Sequence, residues 1–226
     1  MHGGDELIYQ ISVWLLPALL AITLHEAAHG YAALRFGDDT ALRAGRLSLN
    51  PLRHVDPFGT ILLPGLLLLT GSRFLFGYAK PVPVNFWRLR NPKRDMIWVA
   101  AAGPLTNLAM AFAAALLVHG VALLPESSGE WVFENLRNAV ELNIILAVFN
   151  MIPLPPLDGG RVAVGLLPQP LSMALARLEP FGMLILIFFL LVLPSIPGLR
   201  INPLSDIIGP PVRLLYQIIL ALTGHW

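Results

Sequence analysis

Long apolar runs constrain the fold of this sequence more than any other feature. The run MIWVAAAGPLTNLAMAFAAALLVHGVALL (96–124) contains no Asp, Glu, Lys or Arg. A helix of that length can cross the hydrocarbon core of a bilayer, which is about 30 Å thick. Charged residues make up only 13% of the chain, about half of what a soluble domain carries. The sequence therefore predicts an α-helical polytopic membrane protein.

The apolar runs predict five or six transmembrane segments in a single domain that covers residues 1–226. The segments are expected at 7–34, 58–71, 96–124, 133–152, 181–194 and 204–224. The second is short for a crossing, and a re-entrant hairpin that bends at Pro64–Gly65 is favoured over a full span. The last is interrupted by Pro210 and Pro211, so it either spans or lies in the interface.

Two stretches between the first and third segments are predicted to be extended. ALRAGRLSLNP (41–51) partly alternates apolar and polar residues, as a half-buried strand does. In YAKPVPVNF (78–86), apolar residues recur at every second position, and the prolines exclude an ordinary helix. Together with the re-entrant segment, these stretches predict a small membrane-associated β-sheet.

The distribution of charge predicts the orientation in the membrane. Stretches 35–56 and 72–95 are rich in Lys and Arg, whereas 119–135 has three glutamates and no Lys or Arg. Because basic loops are retained in the cytoplasm, both basic stretches are expected inside and the acidic stretch outside.

The stretch ITLHEAAHGY (22–31) places three polar side chains inside the first apolar segment. On a helix, His25 and His29 lie one turn apart on the same face, where two imidazoles can bind one zinc ion. Glu26 then points at the open position of the ion and can take a proton from water that attacks a carbonyl. A chance pattern, or two buried histidines with other partners, is the alternative. We favour the zinc site because uncompensated His and Glu are expensive at membrane depth.

A third protein ligand is needed, and Asp158 in FNMIPLPPLDGGRV (149–162) is the best candidate. It follows a membrane segment on the same predicted side as the two histidines. The prolines stop a regular helix, and Gly159–Gly160 allows a sharp turn. Alternatively, Asp158 caps a short helix, a role compatible with metal binding.

The motifs HEAAH, AAGPLTNLAMA (101–111) and FNMIPLPPLDGGRV occur in the order and topology of a known family. The chain resembles the site-2 protease family of intramembrane zinc metalloproteases over about residues 15–165. It looks most like the small bacterial and archaeal branch, which lacks PDZ and nucleotide-sensing domains and carries FGYAKPVPVN and NPLRHVDPFGT between the first two motifs.

The resemblance implies one Zn²⁺ per chain, with His25, His29 and Asp158 as ligands and Glu26 as the catalytic base. It places the catalytic core at about 7–165, followed by C-terminal helices at about 173–224. It also implies that Asn150 positions substrate or transition state and that Asn107 lies in the same neighbourhood.

Further residues are predicted near the site from their own chemistry. Asn150 can donate to a developing oxyanion, although helix–helix hydrogen bonding is an alternative role. His54 could approach the metal, although a lone loop histidine is more often a surface group. Val82 and Val84 keep N–H donors on one edge of a strand whose other edge is blocked by proline, so they could guide an unwound substrate.

These observations predict an intramembrane zinc endopeptidase that cleaves transmembrane segments of other membrane proteins. The expected location is the plasma membrane, with the active site toward the cytoplasm and no nucleic-acid partner. A metal-ion transporter or metal-binding membrane protein is the alternative. Glu26 and the lack of paired repeats disfavour it.

Overall fold

The structure is a computed structural model that describes residues 3–62, 66, 80–196 and 204–225. Most of these residues are helical, as predicted. The α-helices are α1 (Gly3–Arg35), α2 (Thr40–Arg43), α3 (Pro92–Val118), α4 (Glu126–Asn150), α5 (Asp158–Leu166), α6 (Leu171–Ala176), α7 (Glu179–Ile187) and α8 (Gly209–Leu222). Shorter 3₁₀ and π-helical turns lie at Pro51–Arg53, Pro57–Leu62, Phe86–Arg88, Val121–Leu123, Phe188–Val192, Leu193–Ser195 and Leu204–Ile208.

Three helical stretches are long and apolar enough to cross a membrane: Gly4–Arg35, Pro92–Leu123 and Ser205–Leu222. They coincide with the first, third and last predicted segments. The fifth coincides with a shorter apolar helix, Glu179–Ser195. Helix α4 matches the fourth predicted segment but is not in the long apolar group, since it carries several charged side chains. A count of five or six crossings therefore stays a prediction.

The predicted β-sheet is wrong for the part of the chain that the structure describes, which contains no strand. The predicted strand 41–51 begins inside the short helix α2. The Asp38 carboxylate accepts hydrogen bonds from the N–H and hydroxyl of Thr40, the first residue of that helix. Residues 80–85 have no regular secondary structure, and their backbone forms no ladder with any other described segment. Most of the proposed re-entrant segment 58–71, including Pro64–Gly65, lies outside the described residues.

Interhelical contacts fix the direction of the long helices. The His29 imidazole lies 2.7 Å from the Val99 carbonyl near the start of α3, whereas the Ala21 carbonyl faces Asn107, two turns further along α3. Helix α3 therefore runs antiparallel to α1. The Asn138 amide of α4 donates to the Val13 carbonyl at 3.1 Å, and Asn143, further along α4, binds the Asn107 side chain that faces Ala21. Helix α4 therefore runs parallel to α1.

Small side chains let the long helices pack closely beside the site. Ala111, Ala114 and Ala115 of α3 are buried against Val140 and Ile144 of α4. Small residues at helix interfaces allow close backbone approach, which is the main source of packing energy where lipid replaces water. The resulting bundle of α1, α3 and α4 holds the buried polar residues in place.

Candidate metal centre

The structure brings together the three side chains that the sequence suggested as metal ligands. The Nε2 atoms of His25 and His29, one turn apart on α1, lie 3.1 Å from each other. Asp158 is the first residue of α5, and its Oδ2 atom lies 3.2 and 3.3 Å from those two nitrogens. All three side chains are buried, so α1 and α5 together build a compact buried cluster.

Two glycines determine how Asp158 reaches the cluster. A Cβ added to Gly159 would lie 2.2 Å from the Met151 carbonyl oxygen, and one added to Gly160 would lie 2.2 Å from the Pro155 nitrogen. Neither glycine has a positive φ. They are thus required for close packing of α5 on the proline-rich turn that precedes it, rather than for the sharp turn predicted from the sequence.

The hydrogen bonds of the imidazoles show that the cluster suits a cation. The Nδ1 atoms of His25 and His29 lie 2.5 Å from the Asn107 Oδ1 atom and 2.7 Å from the Val99 carbonyl oxygen. Both of these partners are acceptors, so each Nδ1 carries the hydrogen and each Nε2 carries a lone pair. Two nitrogen lone pairs and a carboxylate oxygen therefore converge with no hydrogen among them.

The donor set and its spacing fit zinc. Two imidazoles and one carboxylate, with a fourth position open, are a ligand set of catalytic zinc sites. Tetrahedral zinc bonds of about 2.0–2.2 Å separate the ligand atoms by about 3.3–3.6 Å, close to the observed spacing. The Asp158 carboxylate supplies the anionic ligand of this set.

Gly103 of α3 faces the ligands. A Cβ at this position would lie 2.5 Å from the His29 Nε2 atom and 2.6 Å from the His25 Nε2 atom. The space beside both nitrogens thus exists because residue 103 has no side chain. A Gly-Pro pair inside an apolar helix was the available signal, but its meaning depends on how α3 is rotated toward α1.

A cavity of about 370 Å³ opens at the three ligands, and other predicted residues line it. Glu26 is half-buried in its wall, and its Oε2 atom accepts a hydrogen bond of 2.8 Å from the backbone N–H of Val82. Val84 and Asn150 also line this cavity, and the Asn150 amide donates to the Leu146 carbonyl at 3.0 Å within α4. Residues 80–85, called the covering segment below, therefore form one wall of the site.

His54 is not among the residues that line this cavity. It is buried, with 2% of its surface exposed, and its Nε2 atom lies 2.7 Å from the Ser48 carbonyl oxygen. Its own carbonyl accepts the Lys80 N–H at 2.9 Å. His54 thus anchors the start of the covering segment, and the Asp38 carboxylate anchors its end by accepting the Asn85 N–H at 2.7 Å.

Comparison with known proteins identifies the family. The chain is 38% identical over 188 residues to "Putative zinc metalloprotease YwhC" of Bacillus subtilis, which covers 80% of this chain and 81% of that protein. It is 32% identical over 182 residues to "Putative zinc metalloprotease Rip2" of Mycobacterium tuberculosis, covering 80% of this chain and 66% of the relative. It is also 35% identical over 127 residues to "Putative zinc metalloprotease MJ0611" of Methanocaldococcus jannaschii, covering 55% of this chain and 62% of the relative.

No protein-family model matches the chain, and no solved structure matches it. The similarity to the Bacillus protein nevertheless extends over most of both sequences, and it agrees with the zinc-type ligand set of the cluster. This membrane protein therefore belongs to the site-2 protease family of zinc metalloproteases.

Proposed function

We propose that this protein is an intramembrane endopeptidase that cleaves transmembrane segments of other membrane proteins. The observation that carries the proposal is the position of the ligand cluster. His25 and His29 lie on an apolar helix long enough to cross a bilayer, and Glu26 lies between them in sequence and in the same cavity. A peptide bond would have to reach that cavity from the membrane.

The chain's own residues supply the proton chemistry and the positioning. A zinc ion bound by His25, His29 and Asp158 would polarise water and the scissile carbonyl group. Glu26 takes the proton from the attacking water and delivers it to the leaving nitrogen. Asn150, in the cavity wall, is placed to donate to the oxygen on which negative charge develops.

The proposed substrate is a transmembrane helix that unwinds locally. A helix hides its carbonyl groups in internal hydrogen bonds, so it cannot be cleaved until those bonds open. The released backbone groups then need partners in a place with little water. The covering segment is not helical and lies in the wall of the cavity, so its backbone is suited to supply some of them.

We further propose that the protein lies in the plasma membrane with its metal centre toward the cytoplasm. The end of α1 that is nearer to the metal ligands carries Arg35, and the adjoining start of α3 carries Lys93 and Arg94. Basic residues beside membrane helices favour the cytoplasmic side.

The central experiment compares the wild-type protein with Glu26→Gln in detergent. The glutamine side chain can still accept the Val82 N–H but cannot take a proton from water. We expect about the same zinc content in both proteins and about 10²–10⁴-fold slower cleavage of a model membrane-spanning peptide by the variant. Metal analysis and peptide mass spectrometry measure the two quantities.

The result that would overturn the proposal is equal cleavage by both proteins. A second result is also informative: the wild-type protein could bind zinc and cut a soluble unfolded chain, but cut no membrane-spanning peptide. That result would support protease activity and refute the intramembrane substrate.

A further inference from the structure

Two buried asparagine side chains connect His25 on α1 to α3 and then to α4 by a chain of hydrogen bonds. The His25 Nδ1 atom lies 2.5 Å from Oδ1 of Asn107 on α3, and the Asn107 Nδ2 atom donates to Oδ1 of Asn143 on α4 at 2.7 Å. Both asparagines have no exposed surface. Buried amides in an apolar bundle are costly unless every polar atom finds a partner, so this pair calls for a role.

The direction of the chain is fixed at its outer end by a group that can only accept. The Asn143 Nδ2 atom donates to the Ala139 carbonyl at 2.8 Å, one turn earlier on α4. The Asn143 oxygen is therefore turned toward Asn107. That oxygen, together with the Ala21 carbonyl at 3.4 Å, holds the Asn107 Nδ2 atom. Only the oxygen of Asn107 is left to face His25.

We propose that Asn107 and Asn143 act together as positioning residues that fix which nitrogen of His25 is free to bind metal. Because the Asn107 oxygen accepts the Nδ1 hydrogen, the lone pair lies on Nε2, inside the ligand cluster. The inference rests on the proposed metal site, and it assigns to Asn143 a function beyond helix packing.

Two asparagines are needed because one amide can turn around. The oxygen and nitrogen ends of an amide have nearly the same size, so an unsupported Asn107 could present its NH₂ group to His25. That orientation would force the hydrogen onto Nε2, and a nitrogen that carries hydrogen cannot bind a metal ion. Asn143 excludes it by offering Asn107 an acceptor on the opposite side.

The second histidine supports this interpretation by contrast. His29 donates its Nδ1 hydrogen to the Val99 backbone carbonyl, 2.7 Å away. A backbone carbonyl cannot exchange its oxygen for a donor, so His29 needs no further support, and no side-chain amide lies behind it in the hydrogen bonds of the described residues.

The test measures zinc affinity by competition with a chelator in detergent. Asn143→Ala removes the acceptor that orients Asn107, and we expect about 10–100-fold weaker zinc binding, the usual range for loss of a supporting partner. Asn107→Asp is then added to that variant. A carboxylate presents only oxygens, whichever way it turns, so the double variant should recover most of the lost affinity.

Asn138→Ala is the matched control. Asn138 lies on the same helix, is 1% exposed and makes a similar interhelical hydrogen bond, to Val13. Its loss should lower the melting temperature and leave zinc affinity unchanged. If Asn143→Ala does not fold, Asn143→Leu, which fills a similar volume, replaces it with the same expectations.

Three results would overturn the proposal: wild-type zinc affinity in the Asn143 variant, an equal loss in Asn138→Ala, or no recovery on adding Asn107→Asp. The readout also separates this inference from the proposed function. Zinc-affinity changes as expected in a protein that cuts no membrane peptide would refute only the function. Unchanged zinc affinity in a protein that does cut one would refute only the positioning role.

Discussion

Gly103 of α3 faces the Nε2 atoms of both histidine ligands, and it gives the most direct test of where the ion lies. In Gly103→Ala the new methyl group would lie within 2.6 Å of both Nε2 atoms, a separation at which something must move. Since the imidazoles are also held from behind by Asn107 and Val99, we expect zinc content to fall from about one ion per chain to near zero. Metal analysis of the purified variant measures it.

Gly165→Ala is the control for this substitution. Its added Cβ would lie 2.4 Å from the Ile97 side chain, at the α3–α5 contact and away from the metal ligands. We expect this variant to lose stability but to keep its zinc. Equal zinc loss in both variants would show that general disturbance of helix packing, rather than occupation of the metal position, explains the effect of Gly103→Ala.

Residue patterns within one helix could be interpreted from the sequence, whereas contacts between helices could not. His25, Glu26 and His29 form a local pattern, because the helical repeat alone puts the two histidines on one face. The partners of their outer nitrogens lie more than 60 residues away, at Val99 and Asn107. Those partners depend on the rotation and depth of α3, which no local spacing specifies.

The covering segment shows the same limit at the scale of an element. Residues 80–85 form no helix, as the prolines predicted, but the inferred partner was another strand. In the structure the Val82 N–H is bound to the Glu26 carboxylate instead. An N–H that donates to a charged acceptor is well satisfied, so this donor is not free for a sheet. The sequence could not distinguish these partners because both require the same exposed edge.

Two proline substitutions in the covering segment separate its possible roles. Val82→Pro removes the hydrogen bond to Glu26, and such bonds to charged groups contribute about 1.5–3 kcal/mol. We expect about tenfold slower peptide cleavage at unchanged zinc content, because the catalytic base loses its orientation. Val84→Pro makes the same chemical change two residues further on, where the described residues offer the N–H no partner. It leaves the Glu26 contact in place, so any slowing of cleavage in this variant measures pairing between the segment and an unwound substrate.

The comparison of the two variants shows whether the segment orients Glu26, pairs with the substrate, or does neither. If both variants slow cleavage equally, the segment acts by pairing with the substrate through both N–H groups, as the alternation in the sequence suggested. If neither does, the Val82 contact has no part in the reaction. Steady-state rates with one membrane-spanning peptide, measured beside circular dichroism of each variant, decide between these cases.

For the whole molecule, composition was a good guide to class, whereas the number of crossings stays a prediction. The apolar runs that became α1 and α3 exceed the length that a bilayer requires, and Ser205–Leu222, which contains α8, lies near the lower limit of that length. Helix α4 is as long, but its Glu134, Arg137 and Glu141 make its placement depend on neighbours that cover those charges. Whether such a segment crosses the membrane therefore depends on tertiary packing and cannot be predicted from hydropathy alone.

The charges at the two ends of the helix bundle predict the orientation of the protein in the membrane. The N-terminus of α1 and the loop from α3 to α4 lie at one end of the bundle, because the Trp131 indole of α4 donates to Ser12 of α1 at 2.9 Å. That end carries acidic residues, whereas the opposite end carries the basic loop that follows Arg35. The positive-inside rule therefore places the basic end in the cytoplasm. The chain has no cysteine, so single cysteines at the exposed positions Ala44 and Ser128 report the two ends.

In intact cells we expect a membrane-impermeant thiol reagent to label Ser128→Cys but not Ala44→Cys, and to label both after the membrane is opened. The cysteine-free parent should stay unlabelled throughout. Labelling of Ala44→Cys alone in intact cells would show the opposite orientation, with the metal centre toward the outside. Labelling of both from outside would contradict the antiparallel crossing of α1 and α3, since these positions follow the ends of those two helices.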